Sequence, residues 1–111
     1  MIFHIVPLAA WSAAPGSPYT PGSLASEGFV HCSADRATVL ALVESRYRET
    51  PGTLLAVELD EAALTAEVRR TGPGDRYPHV HGPLNRDAVL RVWEVVRTPG
   101  GPADLVPRQP E

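Results

Sequence analysis

The four histidines, His4, His31, His79 and His81, are the side chains with the widest chemical reach in this chain. Each falls in a short apolar stretch of extended type: Phe3-His4-Ile5, Val30-His31-Cys32 and Pro78-His79-Val80-His81. Imidazole is the side chain whose ordinary pKa lets it give and take protons near neutrality, and it also ligates metals. Burying its nitrogens without partners costs roughly 1–3 kcal/mol, so it is not routine core filling. Strand alternation sends His79 and His81 to one face and Val80 to the other. A lone histidine is usually satisfied locally or exposed. Three strand segments that each carry one point instead to a shared polar pocket.

Several chemistries need such rings. His-x-His on a strand is good metal-ligand spacing. However, no Asp, Glu or Cys sits beside His79 and His81, and alternation turns Cys32 away from His31, so no metal is expected. A two-histidine phosphoesterase uses paired His-x-Ser/Thr motifs as general acid and base. His31-Cys32-Ser33 fits one of them, but His79-Val80-His81 lacks the hydroxyl of the other. Cys32, two residues ahead of a helix, is the one candidate thiol nucleophile. In an apolar strand it reads better as buried and inert. Gly72-Pro73-Gly74 lacks the following helix that a phosphate loop requires.

The elements that must position these residues follow from pattern. Ile2 to Val6 reads as a first strand ended by Pro7. Leu8 to Ala13 reads as a short helix, closed by Pro15-Gly16-Ser17-Pro18. Ala14 to Gly22 is then a proline-rich loop holding Tyr19. Ser23 to Gly28 reads as one helical turn, and Phe29 to Cys32 as a second strand. Ser33 is placed as N-cap of a helix from Ala34 to Glu49. Leu54 to Leu59 is a strand buried on both faces. Asp60 caps a turn, and Ala66 to Arg70 alternates as a fourth strand. Ala88 to Val96 has the clearest period of two, with Val89, Arg91, Trp93 and Val95 on one face. The expected fold class is α+β: a small split β-sheet of five to six strands with one main helix. Residues 1–97 are expected to form a single domain, and 98–111 a frayed Pro/Gly-rich C-terminal tail.

Composition narrows the function classes. A length of 111 residues suits one domain, and 43% hydrophobic with 21% charged residues is ordinary for a globular chain. The formal net charge is -3, and the ten basic residues, all Arg, are scattered, so broad capture of nucleic acid is not expected. A nucleotide-sized anion remains compatible. No apolar run approaches the ~20 residues of a membrane span, and the apolar start lacks signal-peptide features. The single cysteine excludes an intrachain disulfide. A cytoplasmic setting is expected, and nothing in the pattern specifies an oligomeric state.

Gly28-Phe29-Val30-His31-Cys32-Ser33-Ala34 and Tyr77-Pro78-His79-Val80-His81-Gly82-Pro83-Leu84 resemble the DUF952 family. That family has a Gly-Phe-Ile-His-x-Ser-type strand and a Phe-Pro-His-x-Tyr-Gly-Pro-Leu-type segment. Phe3-His4-Ile5, Trp11 and Ser23-Leu24 fall in the same order, so the resemblance spans roughly residues 2–96. Known structures of the family are similar to the ADP-ribosyltransferase fold, whose cleft binds NAD. The resemblance therefore implies NAD, or a related nucleotide-like ligand, as substrate of a transferase or glycohydrolase. It implies His31 and His79 as central groups and His4 as the ribose anchor, with Tyr19 or Tyr77 stacking on nicotinamide. Ser33 would hydrogen-bond the ligand, Asn85 would assist at the rim, and Glu27 is the best-placed carboxylate, ahead of Glu94. His81 stands where the family pattern has Tyr, which makes that ring titratable. A non-catalytic binding module for a small anionic metabolite is the alternative, favoured by the lack of a recognisable catalytic-glutamate motif.

Overall fold

The computed structural model describes residues 1–108. Along the chain its strands and helices are β1 (Ile2–Pro7), α1 (Leu8–Ser12), α2 (Gly22–Glu27), β2 (Val30–His31), α3 (Arg36–Leu42), β3 (Leu54–Leu59), β4 (Val68–Arg69), β5 (His79–Val80), β6 (Val89–Arg97) and β7 (Ala103–Pro107). They form a mixed α/β domain with two antiparallel sheets, ordered β1-β3-β6-β7 and β2-β5-β4. Among the described residues this makes seven strands, roughly in keeping with the expected five to six. No helix among the described residues is long and apolar enough to cross a membrane.

The four-stranded sheet is apolar on both faces, as the run Leu54-Leu55-Ala56-Val57 predicts. Leu55, Val57 and Leu59 of β3, with Ile2 and Val6 of β1, pack toward Val30, Val80 and Leu84. Leu54 and Ala56, with Phe3, Val95 and Leu105, pack against Val39 and Val43. Helix α3 supplies that second cover. Its N-cap is Asp35, whose carboxylate accepts the Thr38 N–H at 2.8 Å. Ser33 does not cap it, because both backbone groups of Ser33 bond Phe3, at 2.7 and 2.8 Å. Beyond Leu42 the helix widens into a π-helical turn, Val43–Tyr47. Such turns are uncommon and recur at functional sites.

Two further expectations change. Residues 98–111 do not simply fray, since Ala103–Pro107 pairs with β6 and buries Ala103 and Leu105. The connecting turn is gripped by Arg48, which donates to the carbonyls of Thr98 and Gly101. Residues 109–111 of that predicted tail lie outside the described residues. In β6 the period of two is broken: Glu58 faces Arg91 but Leu59 faces Val89, leaving Leu90 as an extra residue. This bulge moves Val89 onto the face of Val92, away from Trp93, and leaves Leu90 53% exposed.

The two sheets meet at β1. A single antiparallel bridge joins Phe3 to Ser33, and the ladder goes no further. The next rung would pair Ile5 with His31. Instead the His31 carbonyl accepts the Nδ1–H of His4 at 2.7 Å, so a side chain fills the place of a missing backbone bond. From there β1 and β2 part, and a cleft opens between them.

Candidate functional site

The three-stranded sheet is a ladder of two-residue strands, with Val30 and Val68 both opposite Val80, and His31 and Arg69 both opposite His79. The valines face the core, and alternation turns the imidazoles outward. The His31 and His79 rings lie 5.6 Å apart at 73°. Phe29 joins them from the chain entering β2. It stacks on His79 at 4.0 Å and 12°, meets His31 edge-on at 4.8 Å, and lies 5.6 Å from His81. Three of the four imidazoles, His31, His79 and His81, therefore surround one phenyl ring, and His4 is not among them.

Glu27 closes this group. It is the last residue of α2, and Gly28 at φ 86° reverses the chain there, a left-handed turn that favours glycine. The turn brings the Glu27 carboxylate within 2.8 Å of the His31 Nε2–H. With the proton on Nε2, the lone pair of a neutral His31 sits on Nδ1. The pair is half open to solvent, at 55% and 49% exposure, so it acts mainly by orienting the ring.

A cavity of about 860 Å³ adjoins the ring group and runs along β1 to the π-helical turn. His4 and Ser33 line its β1 side, His31 borders it on the β2 side, and Tyr19 and Tyr77 come from loops. Arg46 and Tyr47 face them from the π-helical turn. Among the described residues no aspartate or glutamate lines the cavity, whereas Arg46 does, so the space is biased toward anions. Burial dominates at His4: it pulls the pKa down from 6.5 to about 4, against the opposing bond to the His31 carbonyl. His4 is therefore neutral at pH 7 and donates from Nδ1, leaving Nε2 as an acceptor. Burial raises the Tyr19 phenol, and Arg86 opposes that shift. The Cys32 thiol is pushed up to about 12 by burial, with Glu61 adding to it, so it is no nucleophile.

His4, Tyr19, Ser33, Tyr77 and His31 thus meet around one space; His79 and Glu27 touch His31, His81 reaches Phe29, and these three stand outside the cavity lining. Asn85 does not. Its amide accepts the Thr65 N–H and donates to the Ala63 carbonyl and to Asp87, bracing two surface turns. Glu94 is also elsewhere, paired with Arg108 at 2.7 Å. Arg46 and Tyr47 were not legible as site residues, since in sequence both fall inside the expected helix from Ala34 to Glu49. Among the described residues no group of three or more His, Cys, Asp or Glu is arranged to hold a metal ion.

The chain is similar in structure to protein CC0527 from Caulobacter crescentus, seen by X-ray crystallography as such and as a double mutant. In both comparisons the TM-score is 0.69 and the identity 24%, with 93% of this chain and 92% of that one covered, which establishes likeness of fold. No curated protein matches the sequence. The family profile described as "Protein of unknown function (DUF952)" matches residues 5–92, and the chain belongs to that family.

Proposed function

We propose that the chain binds NAD or a related nucleotide in the cavity between β1 and the π-helical turn, and acts on it as an ADP-ribosyltransferase- or NAD glycohydrolase-type enzyme. The observation that carries this reading is the lining. All three tyrosines of the chain border a cavity of about 860 Å³ that has Arg46 and, among the described residues, no carboxylate on its walls. A dinucleotide needs stacking surfaces for flat rings and a cation for its phosphates, and the volume is within the roughly 300–1,000 Å³ of small-molecule sites. The parting of the two sheets at β1 supports a split-sheet arrangement of ADP-ribosyltransferase type.

In this reading Tyr19 or Tyr77 stacks on the nicotinamide, Arg46 meets the pyrophosphate, and His4 Nε2 accepts from a ribose hydroxyl. Ser33 adds a hydroxyl beside His4. The glycosidic C1′–N bond breaks, and its electron pair leaves with nicotinamide. Water, or an acceptor hydroxyl, forms the new C1′–O bond and passes its proton to His31 Nδ1. Glu27 holds the ring in the tautomer that keeps Nδ1 basic and balances the imidazolium that forms. His79, stacked on Phe29, fixes the other side of His31.

Incubation with NAD, scored by nicotinamide release, tests the proposal: turnover is expected from wild type and its loss from His31→Ala. Equal silence of both, with no nucleotide binding by calorimetry, overturns it. A second reading, a non-catalytic module for a small anionic metabolite, is favoured by one observation: Glu27 lies at the surface and not on the cavity wall. That reading predicts a thermal shift with nucleotide, lost in Arg46→Ala, without turnover.

A further inference from the structure

A second cavity, of about 730 Å³, lies between α1 and the bulged stretch of β6. Its floor is aliphatic. Leu55 and Val92 come from the sheet, Leu8 and Trp11 from α1, and Leu90 stands at the rim because the bulge turns it outward. Among the described residues none of its lining side chains is acidic.

Arg86 is the polar group in this wall whose position needs a reason. Its guanidinium lies over the Trp11 ring, 4.0 Å from the centroid. Its Nε–H donates to the Ser17 carbonyl at 2.8 Å, and one Nη2 proton to the Ala14 carbonyl at 3.1 Å. A guanidinium carries five N–H donors. The side fork is thus occupied, and among the described residues the end-on fork of Nη1 and Nη2 has no protein acceptor. Among the described residues Arg86 forms no ion pair, and burial lowers its pKa, the signature of a cation short of compensation. The end-on fork matches a carboxylate bidentately, and the cation–π contact fixes its plane.

We propose that this cavity binds a small organic acid with an apolar aliphatic or aryl body, its carboxylate on the outer fork of Arg86 and its body against Trp11, Leu55 and Leu90. The site is separate from the histidine-bordered cavity and does not depend on the reading given for it. The arginine in its wall disfavours amines, and the apolar floor disfavours small hydrophilic anions such as acetate or inorganic phosphate.

Titration calorimetry with the intact chain tests this. Octanoate and 3-phenylpropionate are compared with octanol, 3-phenylpropanol and octylamine as shape-matched probes. The acids are expected to bind at least about tenfold more tightly than the alcohols, with no binding of the amine. Arg86→Gln is expected to remove that preference. Because Arg86 also ties down the loop at Ala14 and Ser17, a second variant guards against misfolding: Leu90→Glu, at an exposed rim position, is expected to abolish acid binding while keeping the wild-type melting temperature. Equal affinity for acid and alcohol, or unchanged acid binding in a folded Leu90→Glu, overturns the proposal. So does a peptide with a C-terminal leucine that outcompetes both free acids, which would make the occupant a chain end and not a small molecule.

Discussion

Acidification should destabilise the domain chiefly through one buried ring. His4 is 7% exposed, packed beside Tyr19 at 5.8 Å between ring centroids, and bonded through Nδ1 to the His31 carbonyl. Its folded pKa of about 4 lies below the unfolded value of 6.5. The unfolded chain therefore binds the proton first, and stability falls as pH drops from the unfolded toward the folded pKa. A single group with this shift loses roughly 2 kcal/mol between about pH 7 and about pH 5, approaching roughly 3 kcal/mol below the folded pKa. For a domain of this size, 2 kcal/mol corresponds to about 8 °C in Tm. The perturbation is His4→Asn, which keeps an N–H donor near the place of Nδ1 but cannot titrate. Urea melts of both proteins at a series of pH values give the difference directly, because every other titrating group is common to them. Wild type should lose about 2 kcal/mol more than His4→Asn over that interval. Parallel pH profiles would refute the reasoning, and would mean that His4 is protonated or solvated in the folded chain.

Other outcomes follow from packing and burial. Leu105→Ala should lower stability by about 2–5 kcal/mol in a urea titration, because Leu105 is buried against the α3 side of the sheet. A cost near zero would show that β7 is not part of the cooperative fold. Gly82→Ala places a Cβ 2.7 Å from the Ala66 Cβ and should cost about 1–3 kcal/mol by the same assay. Cys32, with its pKa near 12, should react with iodoacetamide at about pH 8 roughly a thousandfold more slowly in the folded chain than in urea. Rapid native labelling, followed by mass spectrometry, would contradict its burial.

The long strands were legible because their residues answer to one rule. Ile2 to Val6, Leu54 to Leu59 and Val89 to Val96 are β-branched or aliphatic runs, and all three form. Strand β7 was hidden by its own punctuation. Gly100, Gly101 and Pro102 precede it and Pro107 ends it, a composition that reads as a tail. Yet Pro is tolerated on the outer strand of a sheet, where its missing N–H faces no partner. The α3 cap was misplaced because Ser33 and Asp35 are both good caps. Only the pairing of Ser33 with Phe3, a contact thirty residues distant in sequence, decides between them. For the site, the imidazoles were legible as polar rings in apolar strands. Arg46 and Tyr47 were not, because what turns them into the cavity is a π-helical widening that no local periodicity encodes.

In the smaller sheet stability and chemistry reside on opposite faces. Val30 and Val80 belong to the core, while His31 and His79 project outward from the same two-residue ladder. Replacing an outward ring disturbs little apolar packing, so residue identity at these places is decoupled from the survival of the domain. One robust frame is thereby open to diversification: descendants of this chain are free to exchange imidazole for phenol or amide at positions 31, 79 and 81, and to explore new ligands without first acquiring compensating stabilisation elsewhere.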